Sequence, residues 1–180
     1  GLMGNLNNAS YLTATSIASS LFSLIFWSFG FLRMGTVGMV AQAYGSNQFH
    51  EIINLVLRNI IFVLIISLLL IFLQAYIFKL ALLIFELTPD TTKYFKDYFN
   101  IRIYSSFGEL TIFVITGLFI GLQKTKTSSI IVGFFSITNI IFSLFFVLYF
   151  NLNVQGVALG TLVSSTLTSI IFLFFTFFEF

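Results

Sequence analysis

"SFGFLRMGTVGMVAQAYG", Ser28 to Gly45, sets a permanent cation, Arg33, inside a glycine-punctuated apolar helix. A guanidinium stays protonated at any cellular pH, so it needs water, a counter-charge or backbone carbonyls within reach. Which of these it finds depends on the medium, and composition identifies the medium. Of 180 residues, 58% are hydrophobic, 19% aromatic and only 8% charged, with a mean hydropathy of +1.06. Such a chain cannot cover a water-soluble globule with polar surface, and it reads as an all-α integral membrane protein.

Working outward from Arg33, a helix that crosses the hydrocarbon layer needs about 20 mostly apolar residues. About five segments qualify. The first runs from about Tyr11 to Gly45; as one continuous helix it would be about 50 Å long and overshoot the membrane, unless it projects, tilts or kinks at Gly30, Gly35 or Gly38. The others cover about Leu55 to Phe78, Tyr98 to Leu122, Ser128 to Phe150 and Val154 to Phe177. Between the second and third, "KLALLIFELTPDTTKYFKDY" opens as an interfacial helix, and Thr88, Pro89 and Asp90 mark a turn and a new helix start. The links "SNQFHEI", "QKTKT" and "NLNVQG" are short, so successive helices run antiparallel, and no linker divides residues 1–180 into two domains. Lysine and arginine balance on the two sides; the compact "QKTK" turn and the His50 link are marginally favoured as cytoplasmic.

Several classes fall away on composition. There is no cysteine, hence no disulfide and no thiolate metal site, and no metal cofactor is expected. A formal charge of +2 gives no reason to expect nucleic acid. The 26 phenylalanines read as interchangeable lipid-facing residues, not a cofactor box. A membrane-embedded enzyme would need a catalytic constellation, and there is no HExxH, no GxSxG and no aspartate pair within the spans.

Polar residues inside the spans carry the functional signal, because each must find a partner where water is scarce. Arg102, Ser105, Glu109 and Thr116 fall on one face of the third span, with Glu109 near its middle. Ser129, Ser136, Asn139 and Ser143 form a stripe on the fourth, and Thr161, Ser165 and Thr168 one on the fifth. The first span aligns Gly35, Gly38, Gln42 and Gly45, with Ser16, Ser19 and Ser23 as a second row. These stripes are expected to face one another; the small and hydroxylated ones read first as helix packing. Glu109 is different, since ionising a carboxylate in mid-membrane is expensive unless it is paired or hydrated. It reads as a functional group, with a structural pair to an arginine as the alternative. The aromatic residues Tyr104, Tyr11 and Trp27 are candidates to wall a substrate site, against a plainer reading as packing or interface residues.

The order of motifs adds a resemblance. FLRM followed by AQAYG, the G-x-x-x-G-x-Q turn at Gly117, Gly121 and Gln123, the asparagine at Asn139, and VQGVALGT from Val154 to Thr161 together resemble the multidrug and toxic compound extrusion (MATE) family, in its branch named after DNA-damage-inducible protein F. The match extends over roughly 170 residues. The resemblance implies twelve helices in two six-helix lobes, and export of amphipathic, often cationic compounds in exchange for protons or sodium by alternating access. On that template the chain is helices two to six of the first lobe, with Gly1 to Asn5 matching the loop after helix one. The first helix and the second lobe are then missing partners from the same polypeptide. The other expected partners are membrane lipids and a small organic substrate, and the expected location is the inner (plasma) membrane, as a multi-pass protein. No cofactor beyond the coupling ion is implied.

Departures from the family pattern sharpen the expectation. A main coupling carboxylate would lie before Gly1, and a second would follow the asparagine by four positions, where this chain has Ser143. A proline usual in the third span is replaced, with Phe107 nearby. Glu109, on the neighbouring helix, is the candidate to supply the lost charge, and Glu109, Asn139, Ser143, Arg33 and Gln42 form the expected ion-coupling and cavity set. Three fates stand open for Arg33: reaching the cytosolic interface, which ranks first, pairing with a buried carboxylate such as Glu109, or pairing with an acidic group elsewhere in the polypeptide. Direct contact with substrate ranks lower, because a fixed cation repels cationic drugs. The rival reading within the superfamily is a lipid-linked oligosaccharide flippase, which would need several basic residues where this chain offers Arg33 and Arg102. A channel or a non-transport membrane bundle is the rival outside it.

Overall fold

The computed structural model describes residues 9–152 and 154–180, so the expected loop at Gly1 to Asn5 lies outside the described residues. The described residues are helical, without strands. Among the described residues, seven of eight α-helices build five spans long and apolar enough to cross a membrane.

The first span is α1 (Ala9–Ser28) and α2 (Phe31–Gly45). They are parted at Phe29 and Gly30, where the backbone tightens to i−3 bonds from Phe29 to Phe26 and from Gly30 to Trp27. The kink therefore falls at Gly30, the first of the three expected places. The second span, α3 (Phe49–Phe72), sits about six residues earlier than the expected Leu55 to Phe78. Hydropathy alone places the boundary too late, because the apolar run continues through the turn at Leu73 into α4 (Gln74–Ile84), the short apolar helix expected from Lys79 onward. At the other end, His50, Glu51 and Arg58 are polar yet helical.

The third span runs from Pro89 to Gly121. It begins where Thr88 caps α5 (Pro89–Arg102), accepting from the Thr91 amide with Pro89 in the first turn, nine residues ahead of the expected start at Tyr98. A single 3-10 turn, Ile103–Ser105, separates α5 from α6 (Ser106–Gly121). No proline causes that break. Hydroxyls stitch it instead: Ser105 Oγ donates to the Arg102 carbonyl and Ser106 Oγ to that of Ile103. The last two spans are α7 (Thr125–Leu148) and α8 (Val154–Glu179), close to expectation.

Reversal is built by similar chemistry at each end. After α2, the Asn47 amide bonds back to Tyr44 and that of Gln48 to Ala43; after α6, Gln123 bonds to Ile120 and Lys124 to Phe119. These are paired C-terminal caps around a left-handed residue, with φ 56° at Asn47 and 63° at Gln123. Asn151, at φ 53°, occupies the α7–α8 link.

The close packing runs through α6. A Cβ on Gly117 would lie 2.7 Å from the Arg33 carbonyl oxygen, and one on Gly121 would lie 2.8 Å from Val40 Cβ, so α2 and α6 touch through backbone. Gly108 is equally blocked by Ser165 of α8. One expected contact face is overturned: Gly35, Gly38, Gln42 and Gly45 are exposed, because α2 buries Leu32, Thr36, Val40 and Ala43 instead. Ser16, Ser23, Ser129 and Ser136 are exposed as well, whereas Ser143, Thr161, Ser165 and Thr168 are buried as expected.

Candidate functional site

The break in the third span creates the site. Arg102 ends α5 and Glu109 lies in the first turn of α6, so the 3-10 turn between them brings the two side chains together. Arg102 Nη2 donates to Glu109 Oε1 at 2.9 Å, and Ser105 Oγ donates to Glu109 Oε2 at 2.8 Å. Each charged side chain is only 12% exposed, which makes this a desolvated pair. The guanidinium is further fixed by Nη1 donating to Tyr98 Oη at 2.6 Å and by the Phe22 ring, whose centroid lies 5.3 Å from Arg102 Cζ. Tyr98 in turn shares a 3.2 Å hydrogen bond with Ser19 of α1. Arg102 Nε is buried without a hydrogen-bond partner.

Beside this pair opens a cavity of about 430 Å³ between α1, α2, α6 and α7. Its charged lining is Arg33, Arg102 and Glu109; Trp27 and Phe113 supply aromatic wall and Ser136 a hydroxyl. Arg33 is exposed and makes no ion pair among the described residues. The carboxylate offered to it as an alternative partner is held by Arg102, and its side chain faces the cavity that Glu109 also lines.

A second polar group lies between α7 and α8. Asn139 Oδ1 accepts from Ser143 Oγ at 3.2 Å and from Thr161 Oγ1 at 3.4 Å. The helices meet there as closely as the backbone allows, since a Cβ on Gly160 would lie 2.6 Å from the Ser143 amide nitrogen. Asn139 and Ser143 thus come together, while Glu109 spends its hydrogen bonds on Arg102 and Ser105 and makes none to either of them. Gln42 lines a different cavity of about 470 Å³, with Glu51 and Arg58, at the α2–α3 turn. Trp27 is 77% exposed at the mouth of the Glu109 cavity. Tyr11 packs edge-on to Tyr94, ring centroids 4.3 Å apart, and Tyr104 lies half exposed on the 3-10 turn, so neither lines it. Among the described residues no cluster of three or more metal-ligating side chains is present.

Sequence reasoning missed Tyr98, Phe22 and Phe113. Only Tyr98 left a signal, its i, i+4 spacing to Arg102. Asn59, which donates to Thr36 Oγ1 at 3.0 Å across α3 and α2, was readable as an amide within an apolar span.

Comparison with known proteins places this bundle. Residues 1–145 match the MatE family. The chain belongs to that family. MatE proteins are membrane transporters and not enzymes, which removes the embedded-enzyme reading. The chain is 28% identical over 170 residues to DNA damage-inducible protein F of Escherichia coli (strain K12), covering 94% of this chain and 37% of that protein. A crystal structure of a MATE point mutant matches 98% of this chain and 40% of its own, with a TM-score of 0.87 and 19% identity. The inward-facing conformation of a multidrug resistance MATE family transporter of the MOP superfamily matches 90% of this chain and 38% of its own, with a TM-score of 0.79 and 19% identity. At these identities the structural likeness bears on the fold alone. The chain spans roughly two fifths of the length of these relatives.

Proposed function

We propose that this chain forms most of the first lobe of a secondary active exporter of the inner membrane, one that exchanges protons or sodium for amphipathic organic compounds by alternating access. One observation carries the reading: a desolvated carboxylate and guanidinium face an aromatic-walled cavity between the spans. Membrane interiors hold such groups at a cost of several kcal/mol, and they commonly mark ion paths. The likeness to a multidrug resistance MATE family transporter supports the same class.

The geometry suggests how an ion would act. Glu109 and Arg102 stand on opposite sides of the 3-10 turn, so their ion pair ties α5 to α6 across the break in the span. A proton on Glu109 removes the charge that holds Arg102. The two helices are then freer to change their mutual angle, and a bound ion biases which side the cleft opens to. Apolar portions of a substrate would lie against Trp27 and Phe113. The Asn139, Ser143 and Thr161 oxygens are the second candidate coupling group, with hydroxyls where the resemblance implies a carboxylate.

Glu109→Gln in the full-length protein tests the coupling role, with dye efflux driven by an imposed pH gradient in proteoliposomes. A loss of about tenfold or more in gradient-driven efflux is expected, and unchanged transport overturns the role of Glu109. Efflux that persists after both proton and sodium gradients are dissipated overturns the antiport reading.

A further inference from the structure

We propose that the cavity beside Glu109 takes an amphipathic anion, an aromatic body bearing one carboxylate or sulfonate, and that Arg33 is the group that receives the head. This deepens the export reading and rests on it only for the claim that the ligand is moved.

The argument starts from the charges in the lining. Three charged side chains border the cavity: Arg33, Arg102 and Glu109. Arg102 and Glu109 neutralise one another at 2.9 Å, and among the described residues Arg33 has no ion pair, so the lining these residues provide carries one net positive charge. Both Glu109 oxygens already accept a hydrogen bond, one from Arg102 and one from Ser105. A cationic ligand would have to break that pair to find a carboxylate, and it would do so close to a fixed guanidinium. An anionic head meets no such obstacle. Beside apolar walls the field of a single unpaired charge is felt more strongly than in bulk water.

The placement of Arg33 is firm. Its carbonyl packs against Gly117, where even a Cβ would come within 2.7 Å, and Thr36 of the next turn presses on the same glycine. Trp27 and Phe113 line, with Arg33, both this cavity and an adjoining one of about 430 Å³, so apolar aromatic surface is shared by the two cavities that Arg33 borders. A planar guanidinium offers a carboxylate or sulfonate two parallel N–H donors, and the aromatic walls accept the ligand's ring.

The test uses two probes with one aromatic body and opposite heads, 2-naphthalenesulfonate and trimethyl(2-naphthyl)ammonium. Their binding to the full-length protein in nonionic detergent is measured by equilibrium dialysis against empty micelles. The sulfonate is expected to bind about tenfold tighter than the ammonium. Arg33→Gln should abolish that preference, and Arg33→Lys should keep most of it. Equal or tighter binding of the ammonium to the native protein overturns the proposal, as does a sulfonate affinity untouched by Arg33→Gln. Proteoliposome transport separates the two readings: if neither probe is moved the export reading fails and the binding ratio still decides this one, whereas transport of the ammonium alone overturns the anion proposal and leaves export standing.

Discussion

Glycines on α6 and on α2 have opposite fates. Gly108, Gly117 and Gly121 of α6 have no room for a single added carbon, whereas Gly38 and Gly45 of α2 meet nothing within 4 Å of where a Cβ would be. The contrast extends to whole spans. In the most apolar stretch of Pro89–Gly121, 72% of residues are buried, against 17% for Thr125–Leu148. Small residues at helical spacing therefore permit close approach without deciding it. The apolar stripe on the other side of α2, Leu32 to Ala43, decides it by packing on α6.

Substitutions break or sharpen this contrast in a definite order. The largest effect belongs to the packed span. Arg102→Ala leaves Glu109 without its counter-charge and is expected to destabilise the folded protein by about 3–5 kcal/mol, read as a fall in the thermal midpoint in detergent. Gly160→Ala drives a carbon against the Ser143 backbone, which cannot swing aside as a side chain can; a loss of about 1–3 kcal/mol should appear in the same assay. Gly38→Ala, on the open face, should stabilise the helix by up to about 1 kcal/mol, because alanine is the better helix former and the site is empty. A destabilising outcome would mean that another helix covers this face. Least of all, Lys124→Ala should change stability by about 0–1 kcal/mol, since its ion pair with Glu179 is half exposed.

The spans were legible in the sequence because a bilayer imposes length and apolarity on every helix that crosses it. The Thr88–Pro89 start was legible through its turn and helix-start residues, and the "SNQFHEI" and "QKTKT" reversals as short links between apolar runs. Hydropathy missed the turn at Leu73, since the run is apolar on both sides of it. It also missed the nine residues that open α5, most of them polar, which are helical because of their cap and their packing. Within the site, helical spacing put Arg102, Ser105 and Glu109 on one face, and in the structure they meet there. The choice between Arg33 and Arg102 as the partner of Glu109 was not readable. It depends on the 3-10 turn at Ile103–Ser105, which has no proline or glycine to announce it.

The account stands on the cleft beside Glu109 being wet while the outer face of α7, around Ile141, faces lipid. Ser136 lines that cleft, and Ile141, five positions on and about 140° round the helix, is 56% exposed on another face. In membranes, on a cysteine-free background, Ser136→Cys and Ile141→Cys are treated with a charged, membrane-impermeant thiol reagent. The account predicts labelling of Ser136→Cys at least about tenfold faster than of Ile141→Cys, with Ser136→Cys protected by bound ligand. Equal labelling of the two, or faster labelling of Ile141→Cys, would contradict it.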